Sequence, residues 1–251
     1  MIAARRDVIE HNTLAPIKKT VRRLAPWLVP IYRSIYHKLV LRPRWNRMGM
    51  SVFSEHFHNN GWKCSESVSG TGSTLGQTEA IRAALPSLIS ELRVGSLLDI
   101  PCGDFNWMRV LDLPIHYVGA DIVPELVALN SAFASERRSF VQLDISRDAL
   151  PTVDMVLCRD CLVHFSYADI FSAFENLKRS GSKYLLTTTH PEATNRDIVT
   201  GEWRPINLQR PPFCLSQPLR LIEEHCPNPF APDKCLGLWR VGELPASPRR
   251  R

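Results

Sequence analysis

Between residues 75 and 190 the chain repeats one pattern. A short apolar run, a polar break and an apolar face at three- and four-residue spacing follow one another several times. Residues 77–92 predict a helix with Ile81, Leu85, Leu88 and Leu92 on one face. Residues 96–100 are apolar but too few for a helix, so they predict a buried strand. Pro101 and Gly103 end that strand, and residues 105–108 read as the start of the next helix. Further strands are predicted at 116–120, 140–143, 153–158 and 184–188, with helices at 124–134 and 167–178 between them. Pro124 suits a first helical turn. Strands alternating with helices define an α/β, Rossmann-like, doubly wound sheet, mostly parallel.

Ahead of this core, Leu14, Ile17, Val21, Leu24, Leu28, Ile31, Ile35 and Leu39 form one helical stripe. Pro26 and Pro30 interrupt it, which predicts two short amphipathic pieces rather than one rod. Charge sharpens the division. Residues 1–47 carry 11 Lys/Arg against Asp7 and Glu10, whereas the other 204 residues carry 20 basic and 23 acidic side chains. The +6 net charge thus belongs to an N-terminal helical extension, and residues 48–244 form a mildly acidic body. Such an arm contacts an anionic membrane surface peripherally, docks on its own domain or stays a solvated basic extension. Residues 245–251, with three terminal arginines, read as a disordered tail.

No run of 18 apolar residues predicts a membrane span, and the N-terminus lacks the apolar core and cleavage site of a secretory signal. Seven cysteines without a dense framework indicate a reducing, cytoplasmic setting. Cys158 and Cys161 are spaced as C-x-x-C, but Cys158 closes an apolar strand, so packing is the simpler reading than metal or redox chemistry. The run Ser69–Gly70–Thr71–Gly72–Ser73 lacks the G-K-[ST] ending and a preceding strand, and is not a P-loop. It is a flap over a neighbouring pocket or an ordinary surface loop.

The chemistry gathers at the strand ends. Asp99, Asp121, Asp144 and Asp160 each close or follow a predicted strand, where ligands of such sheets bind. Asp121 follows Gly103 by about 20 residues, the spacing of a carboxylate that takes a ribose hydroxyl pair. The loop Asp99–Ile100–Pro101–Cys102–Gly103–Asp104 has one glycine and two acids, which disfavours a pyrophosphate and therefore a nicotinamide dinucleotide. S-adenosylmethionine has no phosphate and carries an ammonium and a sulfonium, which acids suit. Asp144 and Ile145 would then face the adenine.

The segments D-I-P-C-G-D, V-G-A-D-I-V-P-E-L, V-Q-L-D-I-S and D-M-V-L-C-R-D-C-L-V-H-F resemble the successive motifs of class I S-adenosylmethionine-dependent methyltransferases. The resemblance covers about residues 75–190. The wider chain is similar to an uncharacterised bacterial methyltransferase family. The resemblance implies S-adenosyl-L-methionine as cofactor and a seven-stranded sheet with a final antiparallel strand, drawn from residues 219–222 and 236–241. It implies cofactor contacts from Asp99, Pro101, Cys102, Gly103, Asp104, Asp121, Ile122, Asp144, Ile145 and Arg159. Pro101 and Cys102 replace glycines usual in that loop.

Residues 190–218 are long, irregular and rich in proline, as lid or specificity loops are. Asn195, Arg196, Asp197, Trp203 and Asn207 there are the substrate-binding candidates, suited to a polyhydroxylated acceptor. The expected activity is O-methylation of a glycan or small-molecule hydroxyl, with no nucleic acid as partner. For the proton, His164 or His190 is a general base without metal, and His164 is preferred because it sits just ahead of the helix starting near Tyr167, whose dipole disfavours the protonated ring. The alternative is a magnesium site of Asp160, Asn195 and Asp197. A nicotinamide oxidoreductase, a nucleic-acid methyltransferase using the basic arm and a non-catalytic cofactor-binding module are the other function classes considered.

Overall fold

The computed structural model describes residues 34–226, 228–229 and 231–247. It divides into two compact units, Met1–Met48 and Gly49–Arg251. In the first, residues 34–36 are helical, His37–Leu41 forms a π-helical stretch and α1, Arg42–Met48, completes the segment. The stripe from Leu14 to Ile31, the breaks at Pro26 and Pro30 and the tail residues 248–251 lie outside the described residues. Among the described residues, no helix is long and apolar enough to cross a membrane.

The second unit holds a seven-stranded sheet. Its strands are β1 (Ser96–Asp99), β2 (His116–Asp121), β3 (Arg138–Gln142), β4 (Met155–Cys158), β5 (Tyr184–Thr189), β6 (Arg220–Glu223) and β7 (Cys235–Arg240), in the order β3-β2-β1-β4-β5-β7-β6. β1 to β5 pair in parallel, and β7 runs antiparallel to both β5 and β6. The helices are α2 (Val52–His58), α3 (Glu79–Glu91), α4 (Pro124–Asn130) and α5 (Tyr167–Ser180).

Side-chain alternation explains why both faces are covered. Leu97, Met155, Leu157 and Leu186 point to one side and bury against Ile81, Leu85, Leu88 and Ile89 of α3. Leu98, Val156, Cys158 and Leu185 point to the other and bury against Ile170, Phe174 and Leu177 of α5. Ser166 caps α5 by accepting from the Asp169 amide, and Gly181 ends it in the left-handed region.

Two expectations are corrected. No α-helix follows β1; only a three-residue 3₁₀ turn, Met108–Val110, forms. Phe105 adopts a φ of 58° and drives its ring between Tyr117, Phe133 and Phe140, while the Asn106 amide donates to Asp104 Oδ1, so local bonds replace the helical ones. Residues 190–218, irregular as expected, carry apolar side chains into the core. Ile198, Ile206, Leu208, Phe213 and Leu215 are all buried, the last four in the cluster that packs on α5. β3 also begins two residues earlier than its apolar run, because Arg138 and Ser139 pair with Tyr117 and Val118.

Candidate active site

A cavity of about 800 Å³ opens at the carboxyl ends of β1, β2 and β4, where the strand order reverses. One end is built from the loops after β1, β2 and β3. Gly103 has a φ of 56°, and a Cβ there would stand 2.2 Å from Ser69 Oγ. Asp104 explains that closeness: its carboxylate accepts from Val68 N at 3.0 Å and Ser67 Oγ at 3.0 Å, and its amide donates to Ser69 Oγ at 2.9 Å. The glycine-rich stretch after Ser69 is thereby seated as a wall of the cavity.

Two buried acids face this end. Asp121 accepts from the Gly103 amide through Oδ2 and the Val123 amide through Oδ1, both at 3.0 Å, so its carboxylate fixes the β1 loop against the β2 loop. Burial pushes its pKa up to about 6. Asp99 accepts from Tyr117 Oη at 2.7 Å, and burial pushes it up to about 7. Asp144 turns the β3 loop by accepting from Ser146 N and Oγ, and Ile145 is buried beside it.

Between the two ends lies a buried charge cluster. Arg159 donates to Glu224 at 2.5 Å and lies 3.2 Å from Asp160. Lys234 Nζ stands 2.6 Å from Asp160 and 3.3 Å from Glu224. Two cations thus face two carboxylates. Burial works against ionisation of Asp160, but Lys234 and Arg159 outweigh it and hold that carboxyl well below the usual range. Gly72 is required here, since a Cβ would come within 2.8 Å of Asp160 Oδ2.

The far end is aromatic. Phe53 and Trp62 meet the His164 ring edge to face at 6.3 and 6.4 Å, and His56 lies against Trp62 at 5.2 Å. His164 Nδ1 is 3.1 Å from the Glu202 carbonyl oxygen. A carbonyl only accepts, so Nδ1 carries the proton and Nε2 keeps a free lone pair. Burial lowers the pKa to about 4, leaving the imidazole neutral. Arg204 fixes this turn: fully buried, it donates to the Leu162 and Phe165 carbonyls at 2.7 and 2.8 Å. His190 has the opposite tautomer. The Ile206 amide donates to its Nδ1 at 3.2 Å, so Nε2 bears the proton and has no lone pair to offer.

The cavity therefore gathers Asp99, Pro101, Cys102, Gly103, Asp121, Ile122, Asp144, Ile145 and Arg159, together with Asp160, His164, His190 and Trp203. It does not gather Asp104, which latches the preceding loop. Nor does it gather Asn195, Arg196, Asp197 or Asn207. The Asn195 amide donates to the Asn207 and Pro211 carbonyls, and the Asn207 amide to Pro191. Asp197 accepts from Tyr167 N at the start of α5, and Arg196 donates to the Trp203 carbonyl. Asp160, Asn195 and Asp197 consequently do not converge as a ligand set. Cys158 and Cys161 are buried, as packing residues are. Reading the sequence missed Phe53, His56 and Trp62 as site residues, and Lys234 and Glu224 altogether. The density of rings between residues 53 and 62 was the available signal for the first three; nothing marked the last two.

No known family profile matches the chain, and no curated protein does. Among solved structures, the chain is similar to a Burkholderia thailandensis 1,6-didemethyltoxoflavin-N1-methyltransferase, solved with its namesake ligand and S-adenosylhomocysteine. The identity is 15%, over 76% of this chain and 87% of that one, with a TM-score of 0.53. It is also similar to the magnesium protoporphyrin IX methyltransferase of Synechocystis PCC 6803, at 14% identity over 75% of this chain and 95% of that one, with a TM-score of 0.49. The chain has the fold of the class I S-adenosylmethionine-dependent methyltransferases.

Proposed function

We propose that the protein is an S-adenosylmethionine-dependent methyltransferase that acts on a hydroxyl of a small acceptor. The observation that carries this reading is His164, which lines a cavity that also holds the buried acids Asp99 and Asp121 and whose Nδ1 is engaged by the Glu202 carbonyl, leaving Nε2 as its basic nitrogen. The donor set suits the cofactor. Asp121 has oxygen lone pairs beyond the bonds it accepts from the Gly103 and Val123 amides for a ribose diol, and Ile145 offers an apolar face for adenine. When bound, S-adenosylmethionine supplies an electrophilic methyl group on a sulfonium. His164 Nε2 would take the acceptor hydroxyl's proton, the methyl passing to the oxygen as its bond to sulfur breaks and the thioether leaves, and Glu202 O would hold the imidazole in the orientation for it. Asp160 serves poorly as base because its charge is already shared with Lys234 and Arg159.

Thermal shift with S-adenosylmethionine, S-adenosylhomocysteine, NAD and NADP tests the reading: the first two should stabilise the protein, and stabilisation by NAD alone would reject it. Asp121→Ala should weaken S-adenosylhomocysteine binding by about tenfold or more, the loss of charge-assisted bonds of roughly 1.5–3 kcal/mol. Wild-type affinity should fall as pH drops through about 6, where Asp121 takes up its proton. Unchanged calorimetric affinity in a folded Asp121→Ala protein would remove the ribose assignment. The unliganded protein should show the reverse trend. Asp99 and Asp121 titrate above their unfolded values, so the stability they add at low pH is lost as pH rises through 6–7.

A further inference from the structure

We infer that the acceptor is a planar aromatic or heteroaromatic molecule whose hydroxyl sits on the ring, rather than a saturated polyol. This rests on the methyltransferase reading above and names its substrate class. The cavity that His164 lines also takes Met50, Phe53, His56, Trp62, Phe165 and Trp203 into its wall, and Phe53 and Trp62 touch the His164 ring directly. The Phe53 and Trp62 rings stand steeply to that of His164, at 78° and 64°, while Phe165 is tilted to Phe53 by 39° and His56 to Trp62 by 37°. Such walls present both faces and edges, to which a flat ring adapts by stacking or by edge contact. A polyol needs a hydrogen-bond partner for each hydroxyl taken out of water. The groups that could provide them in residues 190–218 are bound elsewhere: Asn195 and Asn207 to backbone carbonyls, Asp197 to the Tyr167 amide. Asp160 and Lys234 are paired with each other. Proton transfer agrees. An imidazole held neutral by burial is a weak base, and a ring hydroxyl, acidic like that of tyrosine, gives up its proton far more readily than an alcohol.

The test uses the full chain saturated with S-adenosylhomocysteine and two probes, 2-naphthol and methyl β-glucoside, titrated by calorimetry. 2-Naphthol should bind and the glucoside should not. Trp62→Leu should weaken 2-naphthol binding by about tenfold, while Trp62→Phe, which keeps a ring, should stay within about threefold of wild type. Affinity for S-adenosylhomocysteine should be the same in all three proteins, which also reports that the variants fold. Binding of the glucoside without 2-naphthol, or 2-naphthol affinity indifferent to Trp62→Leu, would overturn the inference and leave the methyltransferase reading standing. Failure of S-adenosylhomocysteine to bind wild type would instead bring down that reading and this inference with it.

Discussion

Replacing His164 by glutamine should lower kcat at saturating cofactor by about 10²–10⁴-fold, the usual contribution of a positioned general base. That corresponds to roughly 3–5 kcal/mol in the barrier. Glutamine can still donate to the Glu202 carbonyl and fill most of the space, so the turn from Leu162 to Phe165 should keep its shape. S-adenosylhomocysteine affinity should accordingly be unchanged. The pH profile separates this base from an exposed histidine. Because burial holds His164 at about 4, wild-type kcat should be level from pH 5 to 8 with no inflection near the ordinary histidine value. A variant that retains more than about a tenth of wild-type kcat would place the proton acceptor elsewhere. His190→Gln offers a contrast, since its Nε2 is a donor and its loss removes no base.

The second large effect is on stability. Glu224→Ala should cost about 3–5 kcal/mol in urea unfolding, the scale for a buried cation stripped of its partner. Arg159 and Glu224 are 4% and 1% exposed, and two guanidinium nitrogens of Arg159 reach the carboxylate. Arg159 follows β4 and Glu224 follows β6, so the pair ties together strand ends separated by β5 and β7. Lys234 and Asp160 would share the disturbance, because Lys234 Nζ also contacts Glu224. Changing both Arg159 and Glu224 to Met should recover most of the loss, as apolar replacement of a whole buried pair commonly does. A destabilisation below about 1 kcal/mol would show that water or Asp160 already compensates Arg159.

Both expectations concern residues whose partners lie far away along the chain, and this marks the boundary of what the sequence determines. The strands at the core were set by local pattern. Apolar runs such as residues 96–99 and 155–158, bounded by breakers, have no other way to bury both faces. Their alternation with amphipathic helices required a parallel sheet, and a parallel sheet puts its ligand at the carboxyl ends. The acids there, and Gly103 between them, could therefore be picked out as a candidate site from the chain alone. Where a local bond competes with the pattern, the reading failed. Phe105 was pulled into a ring cluster and Asp104 took amide donors, so the expected helix did not form.

The rest was decided by tertiary structure. Asn195, Asp197 and Asn207 are as polar as any substrate ligand, and only the fold shows that their bonds go to backbone. The sequence separates His164 from His190 only by its place before a helix; in the fold one faces a carbonyl and the other an amide, which fixes opposite tautomers. Trp62 precedes His164 by about a hundred residues, and Lys234 follows Asp160 by 74. Sequence patterns report periodicity over a few turns of chain. Proton position, charge pairing and the lining of a cavity depend on contacts between distant segments, which exist only once the sheet has assembled.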